Sequence, residues 1–121
     1  MGPVSATATI ITHNEAEQIA ACVESVSFFA EVLVIDSGST DDTVTRARAA
    51  GARVMSHAWP GFGLQKQFAV DQASHDWVFS IDADERVSAA LRDTIEALFD
   101  GGKTPAKKAY EVNRCNHFMG R

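Results

Sequence analysis

The sequence lacks several features that are typical of particular protein classes, and these classes are therefore disfavoured. It carries 11 Lys and Arg against 16 Asp and Glu, a formal net charge of −5, so the basic surface typical of nucleic-acid-binding domains is missing. No stretch approaches the roughly 20 apolar residues that span a bilayer, and no signal peptide is predicted. The two cysteines, Cys22 and Cys115, lie far apart and fit reduced thiols better than a disulfide framework. These absences indicate a cytoplasmic protein without a transmembrane segment.

Two common ligand signatures are also missing. The pattern Gly-x-Gly-x-x-Gly does not follow the first predicted strand, which disfavours an ordinary NAD-type dinucleotide site. The histidines form no i, i+4 pair and no Cys/His spacing typical of zinc. Among them, His13 alone is predicted beside a strand end, where we expect it to support ligand binding. The four histidines are His13, His57, His75 and His117.

The sequence does contain an alternation of short β-rich runs and helical patterns. Its 121 residues, 45% of them hydrophobic, have the size and composition of a single domain over residues 1–121. The unbroken apolar run at 32–35 is typical of a strand covered on both faces. The alternation predicts an α/β fold with a mostly parallel sheet, flanked by helices and joined by right-handed crossovers. Strands are predicted over 4–12, 32–35, 52–56, 77–81 and 108–114, and helices over 15–26, 39–50, 64–73 and from 88 to the Gly101-Gly102 pair.

Polar clusters follow three of the predicted strands. In open α/β sheets, ligands bind outside the carboxyl ends of the strands. We call this edge of the sheet the rim, and the convergence of the clusters there predicts a ligand site. The clusters are Thr12-His13-Asn14-Glu15, the run from Asp36 to Asp42 and the run from Asp82 to Arg86.

Helix capping is the competing interpretation of some of these residues. Asn14 is a candidate N-cap of the first helix, with Glu17 completing a capping pair. The second helix has similar candidates, because hydroxyl groups cap helices and carboxylates suit the positive end of the helix dipole. These candidates are Ser39 and Thr40 as caps, and Asp41 and Asp42 in the first turn.

Asp36 and the triplet Asp82-Ala83-Asp84 are more informative. Asp36 ends a buried strand and is followed by Gly38, which permits close backbone approach. Its carboxylate can accept hydrogen bonds from a ligand N–H or a ribose hydroxyl group. Asp82 and Asp84 share one face of an extended chain, so one can hold a ribose hydroxyl while the other ligates Mg²⁺ or Mn²⁺, which prefer oxygen ligands. An Asp-x-Asp triplet alone is a weak signal, and its place after the fourth strand makes it a candidate site.

A glycine-containing loop precedes the third helix and carries Lys66. One interpretation places this cation, or nearby backbone amides, beside a diphosphate. The other is a solvated surface lysine. Trp59 and Trp77 are interpreted as packing residues, although Trp59 beside Pro60-Gly61 is also a candidate for the wall of a pocket.

Four segments resemble family 2 glycosyltransferases of the GT-A fold, in particular bacterial lipopolysaccharide core glucosyltransferases. They are Ala8-Thr-Ile-Ile-Thr-His-Asn-Glu15, Val34-Ile-Asp-Ser-Gly-Ser-Thr-Asp41, Trp59-Pro-Gly-Phe-Gly-Leu-Gln-Lys66 and Ser80-Ile-Asp-Ala-Asp-Glu-Arg86. The resemblance implies a Rossmann-like nucleotide-sugar-binding domain, a donor that is usually UDP-linked, and a divalent metal, Mg²⁺ or Mn²⁺. It also implies an acceptor that is a lipopolysaccharide core or another glycan or lipid-linked molecule.

The resemblance also assigns roles to residues. Thr12, Asn14 and Glu15 are expected to line the nucleoside pocket, and Asp36 to receive the base. Asp82 is expected at the ribose, and Asp84 at the metal that bridges the diphosphate, with Asp82 as a second candidate ligand. Lys66 occupies a nucleotide-contacting stretch, although Gln67 stands where Asn is more usual. The full set expected to contact the nucleotide sugar is Thr12, His13, Asn14, Glu15, Asp36, Ser37, Gly38, Lys66, Asp82, Ala83 and Asp84.

The sequence departs from the family in length. Family members continue into an acceptor-binding half that supplies an acidic general base, so we expect this chain to be the donor-binding part and the base to lie beyond residue 121. The last six residues resemble an interrupted loop, and Glu85 is not distinguished from an acid at a helix start. The expected reaction is inverting glycosyl transfer. A lipid-linked acceptor would imply peripheral association with the cytoplasmic face of the inner membrane. The alternatives are a binding module without transfer, a nucleotidyltransferase, and a flavodoxin-like domain whose rim acids are all caps.

Overall fold

The computed structural model describes residues 3–99 in full and the backbone of residues 109–111 and 117–120. Within these residues the order of elements follows the predicted alternation. The strands are β1 (Val4–Thr12), β2 (Phe29–Asp36), β3 (Arg53–Ser56), β4 (Trp77–Asp82), β5 (Ala109–Glu111) and β6 (His117–Gly120). The helices are α1 (Ile19–Ser25), α2 (Thr43–Ala49), α3 (Phe62–Gln72) and α4 (Ala89–Leu98).

The strands form one sheet in the order β3-β2-β1-β4-β6-β5. The first four of these are mutually parallel, β6 is antiparallel to β4, and β5 is antiparallel to β6. A mostly parallel sheet with helical crossovers is the predicted α/β fold, which is confirmed. The register brings Thr12 level with Asp36 and Ile11 level with Asp82. Three of the predicted polar clusters therefore start from adjacent strand ends on one rim.

Helices cover both faces of the sheet, as the apolar run in β2 predicts. Val32 and Val34 belong to the larger core with Ile10, Phe79 and Ile95. Leu33 and Ile35 belong to a smaller core with Ala69 of α3. Because successive side chains of a strand point to opposite faces, α3 lies on the face opposite to the larger core.

Some element boundaries differ from the predictions. The first helix begins at Ile19 rather than at residue 15, and the second begins at Thr43 rather than at residue 39 or 40. The residues 117–120, interpreted as an interrupted loop, form strand β6 instead. Its backbone pairs with β4 from Trp77 to Ser80, a non-local contact that no local pattern reports. The predicted helix end at Gly101-Gly102, and Cys115, lie outside the described residues.

Far from the rim, Glu31 joins three strands to the loop before β4. Its carboxylate accepts hydrogen bonds from Thr7 Oγ1 at 2.8 Å, from Ser74 N at 2.9 Å and from Ser74 Oγ at 3.0 Å. Arg53 lies 3.2 Å away on β3. Partial burial alone would raise the pKa of Glu31, but these hydrogen bonds and the charge of Arg53 together lower it below its ordinary value of 4.5.

We expect Glu31→Gln to lower the free energy of unfolding at neutral pH by about 1 to 3 kcal/mol. The reason is that the donors of Thr7 and Ser74 would no longer bond to a charged acceptor. Because folding lowers the pKa of Glu31, the stabilisation that its carboxylate provides is complete at pH values above the ordinary pKa. It is lost as the pH falls through the lowered pKa. Urea unfolding at pH 7 and at pH 3 measures both effects. Glu96→Gln, in the i, i+4 pair with Arg92 on α4, is the matched control and is expected to cost under about 1 kcal/mol. Equal losses in the two variants would contradict this role of Glu31.

Candidate functional site

A cavity of about 530 Å³ opens at the rim. Its size lies within the usual range for small-molecule sites. Most of the residues expected at a nucleotide sugar line it, together with two aromatic side chains, whereas Asn14, Asp36, Gly38 and Lys66 do not. The lining residues are Ile11, Thr12, His13, Glu15, Ser37, Trp59, Phe62, Asp82, Ala83 and Asp84.

The turn after β4 presents two carboxylates to this cavity. Glu85 N donates to Asp82 O at 3.0 Å, and Glu85 Oε1 accepts from Asp82 N at 3.0 Å. The turn is thereby closed by Glu85, while Asp82 is half-buried and Asp84 is exposed. Within residues 3–99 neither aspartate side chain forms a salt bridge or a hydrogen bond. Their negative charge is therefore available to a cation.

A buried thiol forms a hydrogen bond with the backbone of the same turn. Cys22 Sγ on α1 lies 3.4 Å from Asp82 O and donates to it. Burial raises the pKa of Cys22 to about 12, with a further increase from the nearby charge of Glu85. The thiol therefore stays protonated and remains a donor at physiological pH.

Asp36 is enclosed by the loop that follows it. The residue is 2% exposed, and its Oδ2 accepts from Gly38 N at 3.2 Å and from Ser39 N at 2.9 Å. Its Oδ1 accepts from Ser39 Oγ at 2.5 Å. Gly38 has φ +85°, a conformation that glycine adopts without strain. A carboxylate has about four acceptor positions, so roughly one is not used within the loop.

Asn14 joins the two rim loops, and the interpretation as a helix cap is wrong. The N-cap position of α1 is Gln18, without a side-chain cap. Asn14 instead adopts φ +51°, its N donates to Ser39 Oγ at 2.8 Å, and its Oδ1 accepts from Thr40 N at 2.8 Å. This cross-loop bonding replaces the local capping pair because the α1 helix starts four residues later than its pattern suggests.

His13 lines the cavity in a defined orientation. Its Nδ1 lies 3.0 Å from Ser37 O, and a carbonyl can only accept, so Nδ1 carries the hydrogen. Its Nε2 lies 3.3 Å from Asn14 Nδ2 and accepts from it. Both rim loops thus hold the imidazole in one orientation at the cavity.

Asp41 accepts hydrogen bonds at the start of α2, as the capping interpretation predicts. Asp41 Oδ1 accepts from Thr43 N at 3.0 Å and also from Thr43 Oγ1. Its Oδ2 accepts from Ala16 N at 3.3 Å. The hydrogen bonds from Thr43 lower the pKa of Asp41. The N-cap residue is Asp42, without a side-chain bond, so the prediction of Ser39 or Thr40 as cap is wrong.

An aromatic wall, formed by Trp59 and Phe62, completes the cavity. Their ring centroids lie 6.4 Å apart, and Lys66 Nζ lies 4.6 Å from the centroid of Phe62. Trp59 is a pocket-wall residue, whereas Trp77 packs edge-on against Phe99. Sequence reasoning missed Phe62, whose signal is an aromatic residue between two glycines at a helix start.

The donor atoms at the rim fit a divalent cation that is shared with a ligand. No group of three His, Cys, Asp or Glu side chains able to hold a metal occurs in the part of the chain that the structure describes. Two carboxylates with substrate phosphates are a common arrangement for Mg²⁺, and Asp82 and Asp84 match it. Thr12 Oγ1 is buried without a hydrogen-bond partner among the described residues. Since buried hydroxyls are normally bonded, this atom points to a polar ligand group.

The four parallel strands, the flanking helices and the rim cavity define the class of the protein as a Rossmann-like α/β domain of the GT-A type. The sequence profile described as glycosyl transferase family 2 matches residues 7–111. The chain belongs to this family, as its sequence motifs imply.

Bacterial relatives agree with this assignment. An uncharacterized glycosyltransferase of Rickettsia prowazekii is 43% identical over 112 residues, which cover 92% of this chain and 38% of the relative. The lipopolysaccharide core biosynthesis glycosyltransferase LpsC of Rhizobium meliloti is 44% identical over 96 residues, 75% of this chain and 36% of LpsC. The chain thus spans under two fifths of the length of these relatives.

Solved structures show the same fold. Glucosyl-3-phosphoglycerate synthase of Mycobacterium tuberculosis is 29% identical, with a TM-score of 0.67 over 82% of this chain and 41% of the synthase. Its complex with Mn²⁺, uridine diphosphate (UDP) and glucosyl-3-phosphoglycerate gives a TM-score of 0.65 at 28% identity, over 82% of this chain and 40% of that one. Among the helices described in this chain, none has the length and apolar character needed to cross a membrane.

Proposed function

We propose that this domain binds a nucleotide-diphosphate sugar, UDP-linked, at the rim and acts as the donor-binding part of an inverting glycosyltransferase. The observation that carries the proposal is the pair Asp82 and Asp84, two unneutralised carboxylates at the end of β4. They share a cavity with the unpartnered hydroxyl of Thr12. The complexes of the mycobacterial synthase with UDP and Mn²⁺ or Mg²⁺ support the choice of ligand.

Each residue expected at the nucleotide sugar has a role in this proposal, whether it lines the cavity or supports it. Asp84 and Asp82 would hold Mg²⁺ or Mn²⁺ for the diphosphate, and Asp82 would also bond the ribose. Thr12 bonds the nucleoside, with His13, Glu15, Ser37 and Ala83 forming its surroundings. Asp36 offers its remaining acceptor position to the base, while Asn14 and Gly38 shape the loops around it. Lys66, whose ammonium group lies over the Phe62 ring, contributes positive charge beside the nucleotide.

The chemistry that the metal supplies when bound is stabilisation of the charge on the leaving diphosphate. The chain itself orients the donor, because the carboxylates fix the diphosphate end and the rim loops fix the nucleoside end. A carboxylate beyond residue 121 would deprotonate the acceptor hydroxyl. Glu85 does not suit that task, since its carboxylate accepts from Asp82 N within its own turn.

The acceptor is proposed to be a lipopolysaccharide core or another cell-envelope glycan. The support is the relative LpsC, which is named for lipopolysaccharide core biosynthesis. A lipid-linked acceptor would place the protein in the cytoplasm, at the inner face of the inner membrane.

Calorimetric titration of the protein with UDP-glucose, in Mn²⁺ and then in EDTA, tests the proposal. We expect saturable binding with Mn²⁺ and at least tenfold weaker binding in EDTA, because the phosphates would face uncompensated carboxylates. Equal affinity for UDP-glucose in Mn²⁺ and in EDTA, or no binding in either buffer, would refute the donor-site assignment.

A further inference from the structure

Exposed apolar side chains are concentrated in one segment beside the cavity. Within residues 3–99 the large hydrophobic residues that are more than half exposed are Trp59 at 52%, Phe62 at 55% and Leu64 at 64%. Trp59 and Phe62 line the cavity, and Leu64 does not. Exposed aromatic rings at the wall of a cavity are suited to contact a ligand with a flat face.

The aromatic wall and the carboxylates follow different strands of the sheet. Trp59 and Phe62 follow β3, whereas Asp82 and Asp84 follow β4, and β2 and β1 lie between them. With strands about 4.8 Å apart, the ends of β3 and β4 are roughly 14 Å from each other. The aromatic segment therefore approaches the cavity from the end of β3, and the carboxylates approach it from the end of β4.

A nucleoside diphosphate likewise has a charged end and an aromatic end. Its metal-bound phosphates belong at Asp82 and Asp84, so its base, at the opposite end of the molecule, reaches towards β2 and β3. Resting on the proposed nucleotide site, we infer that Phe62, supported by Trp59, is the stacking surface for the nucleobase. This assigns a ligand contact to residues that neither carry charge nor belong to the acidic motifs.

Two neighbouring side chains contact the ring of Phe62. Lys66 is one helical turn further along α3, and its ammonium group lies over the ring. The ring of Trp59 lies 6.4 Å away between centroids, with the ring planes 53° apart. The ring is therefore held by neighbours while it still lines the cavity.

We expect Phe62→Ala to weaken the binding of UDP in Mn²⁺ by roughly tenfold, as removal of one aromatic stacking partner does. The binding of pyrophosphate in Mn²⁺, which has no base, is expected to stay unchanged. Phe62→Tyr should retain full affinity for UDP. Leu64→Ala, which removes an equally exposed apolar side chain outside the cavity, is the matched control and should have no effect.

Tryptophan fluorescence gives a second readout, because Trp77 is 7% exposed and Trp59 is 52% exposed. UDP with Mg²⁺ is expected to change the emission of the protein, pyrophosphate with Mg²⁺ is not, and Trp59→Phe should abolish the change. Equal weakening of UDP and pyrophosphate by Phe62→Ala, or weakening of neither, would overturn the stacking role. An effect confined to acceptor glycan would overturn it as well. Failure of the unaltered protein to bind UDP would refute the proposed function too, whereas normal UDP binding by Phe62→Ala would refute the stacking alone.

Discussion

Replacing Asp84 by asparagine should weaken Mn²⁺-dependent binding of UDP-glucose by at least roughly 100-fold, about 2.8 kcal/mol. Asparagine keeps the size of the side chain but removes the charge, and divalent cations of this type prefer carboxylate oxygen. Since Asp84 is exposed and its side chain forms no hydrogen bond or salt bridge within residues 3–99, the free energy of unfolding of the variant should stay within about 0.5 kcal/mol of the unaltered protein. Calorimetry and urea unfolding of the same preparation measure the two quantities.

Asp93→Asn is the matched control for the Asp84 variant. Asp93 is an exposed acid on α4, so the substitution makes the same change in net charge away from the cavity. We expect it to leave UDP-glucose affinity unchanged. A similar loss of affinity in both variants would mean that the long-range field of an acidic protein, rather than a metal contact, explains the effect.

Replacing Asp36 by alanine should lower the free energy of unfolding by about 3 kcal/mol. The side chain is 2% exposed and accepts from two backbone amides and one hydroxyl group of its own loop. Removing the acceptor leaves these donors without their partner, and bonds to a charged acceptor are among the stronger ones. Because the loop also positions Ser39 against Asn14, nucleotide binding should fall with stability. Urea unfolding and UDP titration test both expectations.

Ser39→Ala separates the two effects of Asp36. It removes one donor to the carboxylate and the bond from Asn14 N, and we expect a loss of about 1 kcal/mol. If Asp36→Ala cost no more than Ser39→Ala, the carboxylate would not be what organises the loop. Asp36→Asn, which retains an acceptor oxygen, should lie between the two.

The parts of the site that lie at strand ends could be predicted from the sequence. An apolar run such as 32–35, stopped by Asp36, reports both the strand and its end, because burial on two faces and a polar terminus are local properties of the chain. Asp82 and Asp84 follow the same logic after β4. The position of Ser88 as the cap of α4 was equally predictable, and its Oγ accepts from Leu91 N at 3.1 Å.

Contacts between loops could not be predicted in the same way. Asn14 has the composition of a helix cap, yet its partners Ser39 and Thr40 lie about 25 residues away in sequence. Phe62 has no periodic partner, and its place in the cavity depends on β3 lying beside β2. Strand β6 is defined by pairing with β4 rather than by its own residues. In each case a non-local contact outweighs the local propensity.

The central claim is that one rim cavity binds a metal-chelated nucleotide, and paramagnetic broadening of backbone amide NMR signals tests it most directly. Adding Mn²⁺ with UDP should broaden the amide signals of residues 83–85 and 12–15 most strongly. The amides of Glu31, Arg53 and Ser74, at the opposite end of the sheet, should remain sharp. Broadening centred on that opposite end, or spread evenly over the exposed acids, would contradict the claim.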